Sequence, residues 1–288
     1  MEKKFKPETK EELKKLTEDE NINLGSIDTS LTTDMSELFY DSKREDFSGI
    51  ETWDTSKVVN MESMFFKAES FNQPLNNWNV SNVENMIYMF YGAKSFNQAL
   101  NSWDTSNVTD MIGMFSGALE FNQPLDNWDT SKVVNMESMF FKAESFNQPL
   151  NNWNVSNVEN MIYMFYGAKS FNQALNSWDT SNVTDMIGMF SGALEFNQPL
   201  DNWDTSKVVN MESMFFKAES FNQSLNNWNI SKLRYIDYMF NSALNFDKNN
   251  ALEFYLKFCS DKNTQKAIKE LDSIVSELDV KKFYKLAL

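Results

Sequence analysis

Tryptophan recurs in this chain at a fixed interval. All eight fall at Trp53, Trp78, Trp103, Trp128, Trp153, Trp178, Trp203 and Trp228, a period of 25 residues. Such a period marks a repeat architecture, in which one unit buries its apolar face only against its neighbours. Each Trp opens a unit such as WDTSKVVNMESMFFKAESFNQPLNN (53–77), WNVSNVENMIYMFYGAKSFNQALNS (78–102) or WDTSNVTDMIGMFSGALEFNQPLDN (103–127). Residues 128–202 repeat 53–127 without a substitution, and 203–227 repeat 53–77 with Ser224 in place of proline. Copying this complete points to recent recombination or to deliberate engineering. A degenerate unit starts at Ile27, and the unit from Trp228 drifts after Phe246. A length of 288 residues would suggest about two domains. The repeat replaces that expectation with one elongated array of about nine coils, with units starting at 27, 53, 78, 103, 128, 153, 178, 203 and 228.

Within a unit, Met61, Met64, Phe65 and Ala68 stand at i, i+3, i+4 and i+7, which predicts one face of a short helix. Asn60, Asn85 and Asp110 precede that set and suit an N-cap, with Ser56, Ser81 and Ser106 as alternatives. A polar FNQ turn follows Phe71, and Trp78 and Val80 alternate around Asn79 as in a short strand. The expected fold class is therefore α/β, a solenoid of stacked 25-residue coils spanning residues 27–250. Residues 1–26 read as an N-terminal helical cap with Leu13 and Leu16 as its apolar contacts. Residues 251–288 lose the period and read as a C-terminal helical cap of two or three helices.

Several function classes are excluded by what the chain lacks. It has no His, so no imidazole base, no Ser-His-Asp system and no His-ligated metal. Its one Cys, Cys259, permits no internal disulfide and no Cys-cluster zinc site, and with no cationic neighbour it reads as an inert thiol. A net charge of −15 argues against binding nucleic acid or an anionic membrane. The opening MEKKFKPETK is charged, with no apolar run after it, and no segment suggests membrane insertion or export. No phosphate-binding glycine loop and no carboxylate pair outside the repeat lattice suggests an enzyme, so neither catalytic residues nor a cofactor is expected.

The repeated positions read first as structure. The Trp column is expected to stack into a ladder, as are the Met and Phe columns. The Asn of each FNQ (Asn72, Asn97, Asn122, Asn147, Asn172, Asn197 and Asn222) is expected to hydrogen-bond turn backbone between coils. The column headed by Asp54, Asn79 and Asp104 reads as turn-forming, with cation binding as the alternative and no metal site assigned.

The pattern W-D/N-T/V-S-x-V-x-N/D-M-x-x-M-F-x-x-A-x-x-F-N-Q resembles the repeat of the BspA-like leucine-rich-repeat family of bacterial surface proteins, over residues 27–250. The resemblance implies a leucine-rich-repeat-like solenoid with a parallel strand stack. It also implies surface display or secretion, adhesion and binding of host or matrix proteins, with no catalytic residues to carry over. The absence of an export signal departs from that pattern.

Positions that differ between unit types are expected to face solvent. They include large apolar residues: Phe66, Ile87, Tyr88, Tyr91 and Ile112, recurring as Phe141, Ile162, Tyr163, Tyr166 and Ile187, then as Phe216 and Tyr238. An exposed aromatic band of this kind suits protein contact, although packing between neighbouring coils would also account for it. Units 53–77, 78–102 and 103–127 carry −1, 0 and −4, so the acidity concentrates in every third coil. These features predict a non-catalytic repeat protein presenting equivalent sites to a protein partner, with self-association as a further possibility. The alternative is a structural or engineered scaffold with no specific ligand.

Overall fold

The computed structural model describes residues 3–261. Coils of 25 residues lie one on the next, and their regular element is neither a helix nor a sheet. Parallel bridges form a single column, Asp34↔Asn60, Asn60↔Asn85, Asn85↔Asp110 and onward to Asn210↔Tyr235, one residue wide per coil. Among the described residues the only α-helices are α1 (Lys10–Glu18) and α2 (Lys248–Asp261), at the two ends. This overturns the expected α/β, leucine-rich-repeat-like solenoid with helical caps. No coil contains the expected helix, and the strand expected at Trp78–Val80 is absent, the bridge lying instead at Asn60, Asn85 and their equivalents.

The backbone explains the correction. The Met61–Ala68 segment is a run of turns in which the N–H groups alternate between two kinds of acceptor. Met61, Ser63, Phe65 and Lys67 donate to Asn85, Ile87, Met89 and Tyr91 of the following coil, at 2.6–3.0 Å. Met64, Phe66 and Ala68 donate locally to Met61, Ser63 and Phe65. Turning so tightly requires left-handed backbone twice per coil. Ser63 and Lys67 have φ of 53° and 54°, Tyr88 and Gly92 54° and 67°, and Gly113 and Gly117 55° and 69°. A helix would need negative φ at all of these positions. The i, i+3, i+4, i+7 spacing still places the apolar side chains inside, because each turn also returns the chain every three to four residues.

The interior is ladders. Met61, Met64, Phe65, Ala68 and Phe71, with their equivalents in the regular coils, are fully buried. Phe65 stacks on Phe90 at 5.5 Å between ring centroids, and on Phe71 of its own coil at 3.8 Å. Indoles lie parallel between coils, Trp53 over Trp78 at 6.4 Å and 1°. Each indole also ties two coils together, since Trp103 Nε1 donates to Leu75 O at 3.0 Å and Trp128 Nε1 to Leu100 O at 3.0 Å. Burial of this aromatic surface, at about 25 cal/mol per Å², outweighs the cost of left-handed residues, about 1–2 kcal/mol each.

The ends are closed differently. Thr9 caps α1 by accepting from Glu12 N, and Leu13 is buried against the first coil. Arg44, only 4% exposed, holds the chain leaving α1. Its guanidinium donates to the carbonyls of Thr17, Asp19 and Ile22, and its Nε to Asp46 O at 2.6 Å. At the other end Phe254 and Tyr255 of α2 meet Phe240 edge-on, ending the ring stack. The side chain of Cys259 and the helical segments expected beyond residue 261 lie outside the described residues.

Candidate functional site

The turn run displays the non-ladder side chains on one face. Positions equivalent to 62, 63, 66 and 67 project there where they carry long side chains, because the alternating turns send 61, 64, 65 and 68 inward; Ser63, Ser116 and Ser191 at these positions are buried. Phe66, Ile87, Tyr88, Tyr91 and Ile112 are half-buried, as are Phe141, Ile162, Tyr166, Ile187 and Phe216. Tyr163 and Tyr238 are exposed, at 37% and 52%.

Half-burial has a specific cause, stacking along the face rather than covering by another layer. Phe66 lies between Tyr40 at 4.5 Å and Tyr91 at 4.6 Å, nearly parallel to both. Tyr88 meets Phe66 and Tyr91 edge-on, at 6.3 and 5.7 Å. The same trio recurs one block later, Phe141 with Tyr166 at 4.7 Å and Tyr163 edge-on at 6.3 and 5.7 Å. Ser116 and Ser191 interrupt the aromatic column after each trio. The structure therefore brings the candidate aromatics together as separate, repeated clusters rather than as a continuous band.

Charge is set among these rings. The Lys67 ammonium lies 5.4 Å from the Phe66 ring centroid, and Lys142 and Lys217 repeat the contact at 5.3 and 5.2 Å. Burial pushes the Tyr88 phenol above its usual range, and the nearby carboxylates of Glu137, Asp110 and Glu62 push it the same way. Asp110 and Asp185 sit in the bridge column, where other coils mostly carry Asn. Burial raises both carboxyls, and Glu62 and Glu137 respectively add to the effect, against the hydrogen bonds from Ile112 and Ile187 N–H. Asp185 Oδ1 accepts from Ile187 N at 3.1 Å, whereas the equivalent contact of Ile112 N–H with the buried Asp110 Oδ1 is too poorly aligned to be a full hydrogen bond. Sequence reading assigned Asp110 to an N-cap. The signal for its real setting was that it alternates with Asn at one column.

The Asn of each FNQ links coils. Asn72 Oδ1 accepts from Asn97 N at 3.0 Å and from Gln98 Nε2 at 2.9 Å. Asn97, Asn122, Asn147, Asn172 and Asn197 receive the next coil's Asn N–H in the same way, and Asn222 receives Asp247 N. Asp54, Asn79 and Asp104 accept from the N–H two residues ahead, which occupies them in turns. Among the described residues no group of three or more acidic or Cys side chains is placed to hold a metal ion. No described helix is long and apolar enough to cross a membrane.

A chain whose regular coils share one hydrogen-bonding scheme with their neighbours is a tandem-repeat protein. It belongs to the family described as "Mycoplasma protein of unknown function, DUF285", which it matches three times in tandem, over residues 8–119, 98–186 and 173–279. No curated protein and no solved structure matches the chain.

Proposed function

We propose that this repeat protein is a non-catalytic binding module that presents equivalent aromatic sites to a protein partner. The observation that carries the reading is the recurrence of the Phe66, Tyr88 and Tyr91 cluster as Phe141, Tyr163 and Tyr166, with matching ring geometry and partial exposure. Tyr and Phe supply large contact area at low conformational cost. Two equivalent sites on one scaffold raise avidity without new chemistry. The likeness of the repeat motif to BspA-like surface proteins supports adhesion at a bacterial surface as the setting. The competing reading is a scaffold without a ligand, for which the clusters serve only to pack adjacent coils.

The test replaces Tyr88 and Tyr163 with Leu together and measures folding and partner capture on an array of extracellular-matrix proteins. A folded variant that loses capture supports the binding reading. Capture by the parent chain that the variant retains in full, or no capture by the parent, leaves the scaffold.

A further inference from the structure

We infer that each aromatic cluster is a receptor for a cationic side chain, so that the partner is a basic protein segment bearing Arg or Lys. The inference rests on the binding reading and adds the chemistry of what is bound. Three independent observations converge on it. First, the Tyr88 ring is fixed edge-on to Phe66 and Tyr91 and is half-buried. Aromatic groups held this way attract a cation by their ring electrons. The chain already shows the preference, because Lys67 lies 5.4 Å from the Phe66 centroid.

Second, carboxylates surround the cluster. Glu62 precedes it, Asp110 flanks it, and Glu137 follows it, all close enough to act on the Tyr88 phenol. These three carboxylates outnumber the one Lys67 ammonium, so the site is net anionic. Third, the whole chain carries −15, and residues 53–202 carry −10 of it, from two blocks of −5 each. Long-range attraction and local chemistry therefore select the same sign of partner.

The spacing makes the inference sharper. Equivalent sites are three coils apart, about 14 Å at the usual interstrand distance of about 4.8 Å. An extended peptide advances about 3.3 Å per residue and returns to the same face every second residue. Two basic residues four apart, as in Arg-x-x-x-Arg, thus reach both clusters from one face of the peptide.

Three fluorescently labelled peptides test this on the full chain: one with Arg-x-x-x-Arg in a neutral background, one with a single Arg, and one with Glu in both positions. The doubly basic peptide should bind, at least tenfold tighter than the singly basic one, and should weaken as salt rises. Binding should fall at least tenfold in a Glu62→Gln/Glu137→Gln variant, whose fold is checked by circular dichroism. It should fall comparably in Tyr88→Leu/Tyr163→Leu. No binding of the doubly basic peptide, or equal binding to parent and variants, overturns the inference. If basic peptides do not bind while the parent captures a matrix protein through Tyr88 and Tyr163, only the cation assignment fails. If neither binds, the binding reading fails with it.

Discussion

The Tyr88 ring passes so close to Gly113 that a Cβ added there would come within 2.5 Å of Tyr88 Cδ1 and Cε1. Tyr163 and Gly188 repeat the contact at 2.6 Å. The small residue in one coil is thus what seats the aromatic of the coil before it.

Gly113→Ala meets two obstacles, the ring and a φ of 55°. It should destabilise the fold by about 2–3 kcal/mol, of which about 1 kcal/mol is the left-handed backbone. In a Tyr88→Ala background only the backbone part should remain. Denaturant titration of the four chains in this cycle measures the difference, and an equal cost in both backgrounds would refute the ring contact.

Asp110 and Asp185 hold carboxyls whose affinity for protons is raised by burial. The folded state therefore binds more protons than the unfolded state in the range just above the ordinary Asp value. Their contribution is fully present below that value and is lost as pH rises through the folded titration. Asp110→Asn/Asp185→Asn should stabilise the protein at neutral pH, by about 1 kcal/mol in total after solvent screening. The gain should shrink as pH is lowered. Asp28, lowered to about 2 chiefly by Ser30 with Lys6 assisting, has the opposite sign, so its stabilisation is present above the ordinary Asp value and disappears as pH falls through about 2. Melting temperatures from about pH 2 to about pH 8, a range that spans the ordinary Asp value, separate the two effects.

Removing the Arg44 guanidinium leaves the carbonyls of Thr17, Asp19 and Ile22 without that donor. Arg44→Met should cost about 2–4 kcal/mol. Hydrogen exchange should show the loss concentrated in α1 and the first coil, while coils beyond residue 103 keep their protection. Uniform loss along the chain would contradict a local clamp.

Deleting residues 128–202 joins Asn127 to Trp203 and recreates contacts already present, because 203–227 differ from 128–152 only at Ser224. The shortened chain should fold with the same far-ultraviolet spectrum. Its longest dimension in solution scattering should fall by about 14 Å, three coils at about 4.8 Å. Nearest-neighbour energetics predict a cooperative but less stable stack. A molten or aggregated product would show that contacts reach beyond adjacent coils.

Much of the interior was legible, because Trp at 25-residue spacing and the Met61, Met64, Phe65 and Ala68 pattern specify which side chains face inward. What the pattern did not specify was backbone handedness. A helix and a run of tight turns both return a side chain to one face every three to four residues, so periodicity alone does not separate them. The separating signal was present at Gly92, Gly113 and Gly117, glycines inside a supposed helix, where each would cost about 1 kcal/mol. At the candidate site the identities were readable, but the grouping was not. Tyr91 was readable as an outward residue, whereas its stacking on Phe66 follows from the coil-to-coil register that the turn hydrogen bonds impose.

Those turn hydrogen bonds also give the molecule an electrical direction. Along that face, three or four peptide N–H groups per coil point toward the C-terminal end, as in Met61, Ser63, Phe65 and Lys67 donating forward, and they outnumber those that point back, such as Val59 N–H to Thr33 O. The dipoles add instead of alternating as they do in a sheet. Residues 3–52 carry −5, so the side chains at the first end have the same sign as the carbonyl ends of the aligned peptides there. The two ends of the stack are consequently unlike poles, and beside a charged surface the protein has a preferred way to stand.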